Sequence, residues 1–247
     1  MDKTIYSFTI SFLAGISTLF GYIIILINKR VGDKLIYKML SFSAGIMISV
    51  SIIDLIPNSY KMILDTNNFF PKLIVTLIFI VMGIIISMLI DKYIPDNNDS
   101  LYKVGIISMI AIIMHNIPEG IATFITTENN TKLGIKLSLA IMLHNVPEGI
   151  SIALPIYYTT KNKRKAFIYT LISGMSEFLG SILAYLFLRP IINEYIMASL
   201  YAIIAGIMLH ISFYELIPVS YSKSSLKPVL KYLFIGFIIL LLSHILI

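Results

Sequence analysis

Apolar residues in this chain are gathered into eight blocks, each near the roughly 20 residues that a helix needs to cross the hydrocarbon core of a bilayer. The blocks cover about 5–27, 35–57, 70–90, 104–127, 137–160, 166–188, 195–218 and 229–247. Backbone polar groups in lipid must be satisfied within the segment, so a single block of this length has to be helical. The connectors are short and hold the turn residues and charges, as at 28–34 and 95–100, and none is long enough for a separate soluble domain. Composition agrees: 57% of the 247 residues are hydrophobic and only 13% charged, where a soluble domain has about 25% charged residues. The mean hydropathy is +0.89. The expected fold is therefore an all-α membrane protein, one transmembrane domain over 1–247 with eight transmembrane helices. Met1, Asp2 and Lys3 lead straight into the first block without an A-x-A-like cleavage site, so that block reads as a retained helix and not a removed signal peptide.

There is no cysteine, which excludes disulfides, iron–sulfur clusters and thiolate metal sites. The net charge of +6 is no footprint for nucleic acid, because most of it sits in short loops where it orients a membrane protein. Loops after spans 1, 3, 5 and 7 carry Lys29, Arg30, Lys34, Lys38, Lys92, Lys103, Lys161, Lys163, Arg164, Lys165, Lys223, Lys227 and Lys231, 13 of the 19 basic residues. The other side carries Lys3, Lys61, Lys72, Lys132, Lys136 and Arg189, the remaining 6. The positive-inside rule assigns the first set to the cytoplasm and both termini to the outside.

Two internal repeats follow. His115-Asn116-Ile117-Pro118-Glu119-Gly120-Ile121 in span 4 returns as His144-Asn145-Val146-Pro147-Glu148-Gly149-Ile150 in span 5, identical at six of seven positions and 29 residues on. Ala44-Gly45-Ile46-Met47 and Asp54-Leu55-Ile56-Pro57 in span 2 match Ala205-Gly206-Ile207-Met208 and Glu215-Leu216-Ile217-Pro218 in span 7, at an offset of 161. Each matched pair runs in opposite directions through the membrane. Inverted repeats mark secondary transporters, whose sites lie near the midplane where the repeats meet.

Ionisable groups inside a bilayer cost a few kcal/mol or more and ordinarily face a cavity, a partner or an ion. His115 and Glu119 stand at i and i+4 on one helix face, as do His144 and Glu148, so each pair can pinch a metal ion. Asn116 and Asn145 are rotated by about 100° and offer an amide oxygen toward a neighbouring ion. Pro118 and Pro147 release the carbonyls of Met114 and Leu143, and Gly120 and Gly149 let helices approach. A Pro-x-Gly kink alone explains neither the histidines nor the carboxylates. Glu177 falls near the centre of span 6 as a third carboxylate at this depth. Two imidazoles, three carboxylates and two amides suit borderline and hard divalent ions: zinc first, with iron(II), manganese, cobalt and cadmium. Their number permits two ions bridged by Glu119 and Glu148. Asp54 and Glu215 fall at opposite mouths of one path, where helix capping or snorkelling is the competing role. His210 lies above Glu215 as a weaker relay candidate, and His244 reads as a packing or interface residue.

On these motifs the chain resembles the ZIP (Zrt/Irt-like) family of metal transporters, in its short bacterial branch. The resemblance implies eight spans in a 3+2+3 arrangement with spans 4 and 5 central, both termini outside, and transport of metal into the cytoplasm. It implies a binuclear centre on His115, Asn116, Glu119, His144, Asn145, Glu148 and Glu177, with Met47 at a position that can add a ligand. It further implies a bacterial plasma membrane as the location, a homodimer, metal ions as cargo and no cofactor. The loop 91–103 is short and has no histidine, unlike the long histidine-rich loop of many relatives. Asn145 stands where some relatives carry an acid, which lowers the site's negative charge. The competing function is a membrane-embedded metal-dependent hydrolase using the same ligands to activate water. It lacks an H-E-x-x-H pattern and gives no reason for inverted repeats. A metal sensor would need an output domain.

Overall fold

The computed structural model describes residues 3–28, 31–93 and 100–246. Lys29 and Arg30, which count toward the charge asymmetry, the connector over 94–99 and the terminal residues 1, 2 and 247 lie outside them. Among the described residues there are helices and no strands. Eight helices are long and apolar enough to cross a membrane: span 1 (Lys3–Ile27), span 2 (Asp33–Met62), span 3 (Phe69–Tyr93), span 4 (Leu101–Asn129), span 5 (Thr131–Thr160), span 6 (Lys163–Leu188), span 7 (Glu194–Ser222) and span 8 (Leu226–His244).

Local chemistry sets several of the ends. Asn130, Asn162 and Asn193 each stand just before a span, and their side-chain oxygens accept from the N–H three residues on, at Leu133, Lys165 and Ile196. Each satisfies a donor that the first helical turn leaves unpaired. Span 5 stops where Lys161 turns into the left-handed region at φ 53°. Spans 2 and 7 do not stop at Pro57 and Pro218, where the hydrophobic blocks suggested an end, but continue to Met62 and Ser222. A proline ring collides with the carbonyl four residues back in an α-helix. Both spans relieve this with one wide π-helical turn, over Ser51–Leu55 and Ile211–Leu216. There Ile56 N–H donates to the Ser51 carbonyl and Ile217 N–H to that of Ser212. Asp54 and Glu215 are carried on these turns.

The packing is two-fold related, pairing span 1 with 6, 2 with 7, 3 with 8 and 4 with 5. Burial follows the pairing: 67% of the most apolar stretch is buried in each of spans 2, 4, 5 and 7, 39% in spans 1 and 6, and 22% and 17% in spans 3 and 8. Spans 4 and 5 are central, and spans 3 and 8 expose apolar side chains such as Ile74, Leu77, Phe234 and Leu242. Contacts obey the same exchange. Gly45 of span 2 lies against the Leu233 carbonyl of span 8, and its counterpart Gly206 of span 7 lies against the Ile80 carbonyl of span 3. Without a β-carbon on either glycine, backbones meet directly, which is how membrane helices gain packing energy.

Candidate metal centre

Spans 4 and 5 cross at their matched motifs and bring both histidines and both glutamates into one cluster. His144 Nε2 lies 3.0 Å from Glu119 Oε1. His115 Nε2 lies 3.3 Å from the same Glu119 oxygen and 3.2 Å from Glu148 Oε1. The two rings are 5.9 Å apart. The motifs thus interdigitate: His144 reaches across to the neighbouring span's carboxylate, and each motif does not simply close on its own ion. Ligand atoms of His115, His144 and Glu148 lie within 4.8 Å of one another, compact enough for one metal ion to touch all three.

The remaining members of the set surround this cluster. Asn116 Nδ2 donates to the Ser173 carbonyl of span 6 at 3.1 Å, and Asn145 Nδ2 donates to the Ala14 carbonyl of span 1 at 2.9 Å. Both amides therefore have their nitrogens engaged and their oxygens left over, the orientation a cation ligand requires. Asn145 Nδ2 also donates to Glu177 Oε2 at 2.9 Å, which draws the span 6 carboxylate to the motif of span 5. His115, Asn116, Glu119, His144, Asn145, Glu148 and Glu177 are all buried. Asn116 Oδ1, Glu119 Oε2, Asn145 Oδ1, Glu148 Oε2 and Glu177 Oε1 have no hydrogen-bond partner among the described residues. Leaving buried charged or amide oxygens unpaired costs on the order of 1–3 kcal/mol each, more for a carboxylate. Five such acceptors with three carboxylates among their owners form a donor set that fits a dication.

Asp54 borders two spaces that run toward this cluster. One is a cavity of about 330 Å³ whose walls include Asp54, Lys136, His144, Ser243 and His244. The other is a narrow space of about 30 Å³ bounded by Asp54, Asn58, Glu119 and Tyr201. Asn58 Nδ2 donates to Asp54 Oδ1 at 2.6 Å and orients it. His244 thus shares a cavity wall with Asp54 and His144, although in sequence it reads as mere packing. A signal for it exists: under the two-fold pairing it matches Asp91 at the far end of span 3.

The other candidates lie elsewhere. His210 Nδ1 is 2.9 Å from Ser87 Oγ of span 3, and its ring stacks on Tyr214 with centroids 4.8 Å apart. Its polar contact therefore joins spans 7 and 3. Glu215 is half-buried on the π-turn of span 7. Met47 belongs to the main apolar core, as does its counterpart Met208. At the end of span 3 opposite the Asp54 cavity, Lys103 pairs with Asp91 at 2.8 Å.

Thr18 is a member of the central region that the sequence motifs do not single out. Its hydroxyl is buried and has no hydrogen-bond partner among the described residues, at the point where span 1 breaks into Lys3–Ser17 and Leu19–Ile27. The signal for it is a third repeat, Gly15-Ile16-Ser17-Thr18-Leu19-Phe20-Gly21 against Gly174-Met175-Ser176-Glu177-Phe178-Leu179-Gly180, at an offset of 159. Only Gly, Ser and Gly recur in it, with no ionisable residue common to both copies.

Known proteins are similar to this chain in sequence. A family model described as ZIP zinc transporter matches residues 96–244. The zinc transporter ZupT of Clostridium perfringens is 34% identical over 88% of this chain and 87% of its own length. That of Streptococcus mutans is 37% identical over 86% of each chain, and that of Campylobacter jejuni is 35% identical over 98% of this chain and 96% of its own.

Proposed function

Given that the chain belongs to the ZIP zinc transporter family, we propose that it carries zinc and related divalent ions across the bilayer through the buried cluster of His115, Glu119, His144 and Glu148. The protein is a multi-pass membrane transporter of divalent metal and not an enzyme, so the hydrolase reading is not favoured. One observation carries the assignment of the site: buried carboxylate and amide oxygens without partners gather around two imidazoles in the centre of the helix bundle. A dication supplies the charge that three buried carboxylates lack. Replacing Glu119 or Glu148 with alanine removes zinc uptake into proteoliposomes while the protein still inserts. Wild-type uptake by Glu119→Ala would sink the assignment.

The site holds two ions. Glu119 and Glu148 bridge them, and Asn116, Asn145 and Glu177 serve mainly the second. The hydrogen bond from Asn145 to Glu177 supports this, since it joins a second carboxylate–amide pair to the His–Glu cluster. Zinc bound by purified protein falls from about two ions to about one in Glu177→Ala, with the remaining ion dependent on His115 and His144. A single ion in both proteins would leave Glu177 as a hydrogen-bonded packing residue. Nitrogen and oxygen donors without thiolate also admit iron(II), manganese, cobalt and cadmium, to be ranked by competition uptake.

Metal moves toward the cytoplasm, and both termini are extracytoplasmic. The loop charges support this orientation. It makes the cavity of Asp54 and His244 the outer approach, with Glu215 at the inner mouth.

A further inference from the structure

Spans 1 and 6 offer the central site two equivalent seats with different occupants. The Asn145 amide of span 5 donates to the Ala14 carbonyl, and the Asn116 amide of span 4 donates to the Ser173 carbonyl. Ala14 and Ser173 are separated by the same offset as Thr18 and Glu177, 159 residues. Ser17 Oγ donates to the Ala14 carbonyl, and Ser176 Oγ to that of Ser173. Gly149 lies against the Thr18 carbonyl, and Gly120 against the Glu177 carbonyl. A β-carbon on Gly174 would come within 3.1 Å of Thr18 Cβ, and one on Gly15 within 3.2 Å of Glu177 Cβ. Each seat therefore has the same backbone neighbours, the same facing glycine and the same serine one residue before it. Glu177 fills one with a carboxylate. Thr18 fills the other with a hydroxyl that has no hydrogen-bond partner among the described residues, in a fully buried position. Asn116 Oδ1 and its two-fold counterpart Asn145 Oδ1 are alike in having no hydrogen-bond partner among the described residues.

We propose that Thr18 occupies a latent second seat for a divalent cation, the two-fold counterpart of the Glu177 seat, and that the second ion binds on one side only because one seat carries a carboxylate. Thr18 offers a neutral oxygen where its counterpart Glu177 offers a carboxylate. A dication at this depth needs the negative charge more than it needs the oxygens. Neutrality on the Thr18 side also keeps total affinity low enough for ions to leave, a requirement of any conducting path. Thr18 is in this sense a residue that decides where cargo rests.

The inference rests on the two-ion reading above, and a charge-relocation experiment separates the two. Zinc bound at saturation is counted on purified full-length protein, with a thermal melt as the folding control. Wild type binds about two ions and Glu177→Thr about one. Moving the carboxylate across the two-fold, in Thr18→Glu with Glu177→Thr, restores about two. Thr18→Asp with Glu177→Thr repeats the test with a smaller side chain. If wild type binds two ions and both relocated variants bind one, the seats are not equivalent and the inference falls while the two-ion reading stands. It falls equally if neither relocated variant folds in the presence of zinc, because an equivalent seat accepts the carboxylate with its ion. If wild type binds a single ion, the two-ion reading itself fails and takes this inference with it.

Discussion

Glu119 touches both imidazoles through one oxygen, at 3.0 and 3.3 Å, and leaves its other oxygen unpartnered. Glu148 pairs, among the described residues, with His115 at 3.2 Å. The two repeat-related carboxylates are thus unequal, and Glu119 is the hub. Glu119→Ala leaves His144 without its carboxylate and His115 with Glu148 alone, whereas Glu148→Ala leaves both histidines on Glu119. Removing one partner of a buried ion pair costs about 3–5 kcal/mol, so in the metal-free protein the Glu119 variant should melt at the lower temperature of the two. Asp54 and His244 line the cavity that reaches the cluster at His144, and neither belongs to the cluster itself. Asp54→Asn should therefore leave the number of zinc ions bound unchanged and raise KM for uptake several-fold, on the order of the 1 kcal/mol that a partly screened charge contributes. Uptake measured across a zinc series distinguishes this from loss of the central site, which would lower the maximal rate.

At the scale of the elements, glycines decide where helices meet. Gly45 and Gly206 each lie against a carbonyl of a peripheral span, where an added methyl group has only backbone to displace. Alanine at either position should destabilise by about 1–3 kcal/mol, the usual cost of overpacking. The two variants should lose similar amounts, because their surroundings are exchanged by the two-fold. Gly32, where an added β-carbon meets nothing within 4 Å, is the control without overpacking, and melting curves in detergent compare all three. The prolines of spans 2 and 7 act differently from those of spans 4 and 5. Pro57 and Pro218 follow π-helical turns, whereas Pro118 and Pro147 sit inside helices that remain α-helical. Wide turns of this kind cluster at functional positions, and here they carry Asp54 and Glu215.

The whole molecule is a two-fold arrangement in a lipid slab, with polar chemistry at its axis and apolar side chains at its rim. Orientation is testable because the chain has no cysteine of its own. A cysteine placed at Asn67 should react with an impermeant reagent in intact cells, and one at Asn162 should be shielded. The reverse labelling would overturn the charge argument. Departure from two-fold symmetry is also a property of the whole. The Asp54 end has a cavity of about 330 Å³ reaching His144, while at the opposite end Lys103 and Asp91 close to 2.8 Å.

Fold class, span number, the two strong repeats and the seven central polar residues were legible in the sequence, because lipid imposes local rules. A helix that crosses a bilayer must be long and apolar, so a His or Glu inside one stands out without any knowledge of its neighbours. Only the tertiary structure decided which residues meet. His144 pairs across to Glu119, the amide nitrogens of Asn116 and Asn145 are consumed by carbonyls of spans 6 and 1, and His244 comes to line a cavity with Asp54. The helices run on past Pro57 and Pro218 because a π-turn absorbs each ring, an outcome that a proline in a sequence does not announce. The equivalence of Thr18 and Glu177 depends on glycines in four different helices meeting particular carbonyls. Such contacts are non-local: they follow from helix register and crossing, and the identity of one side chain records neither.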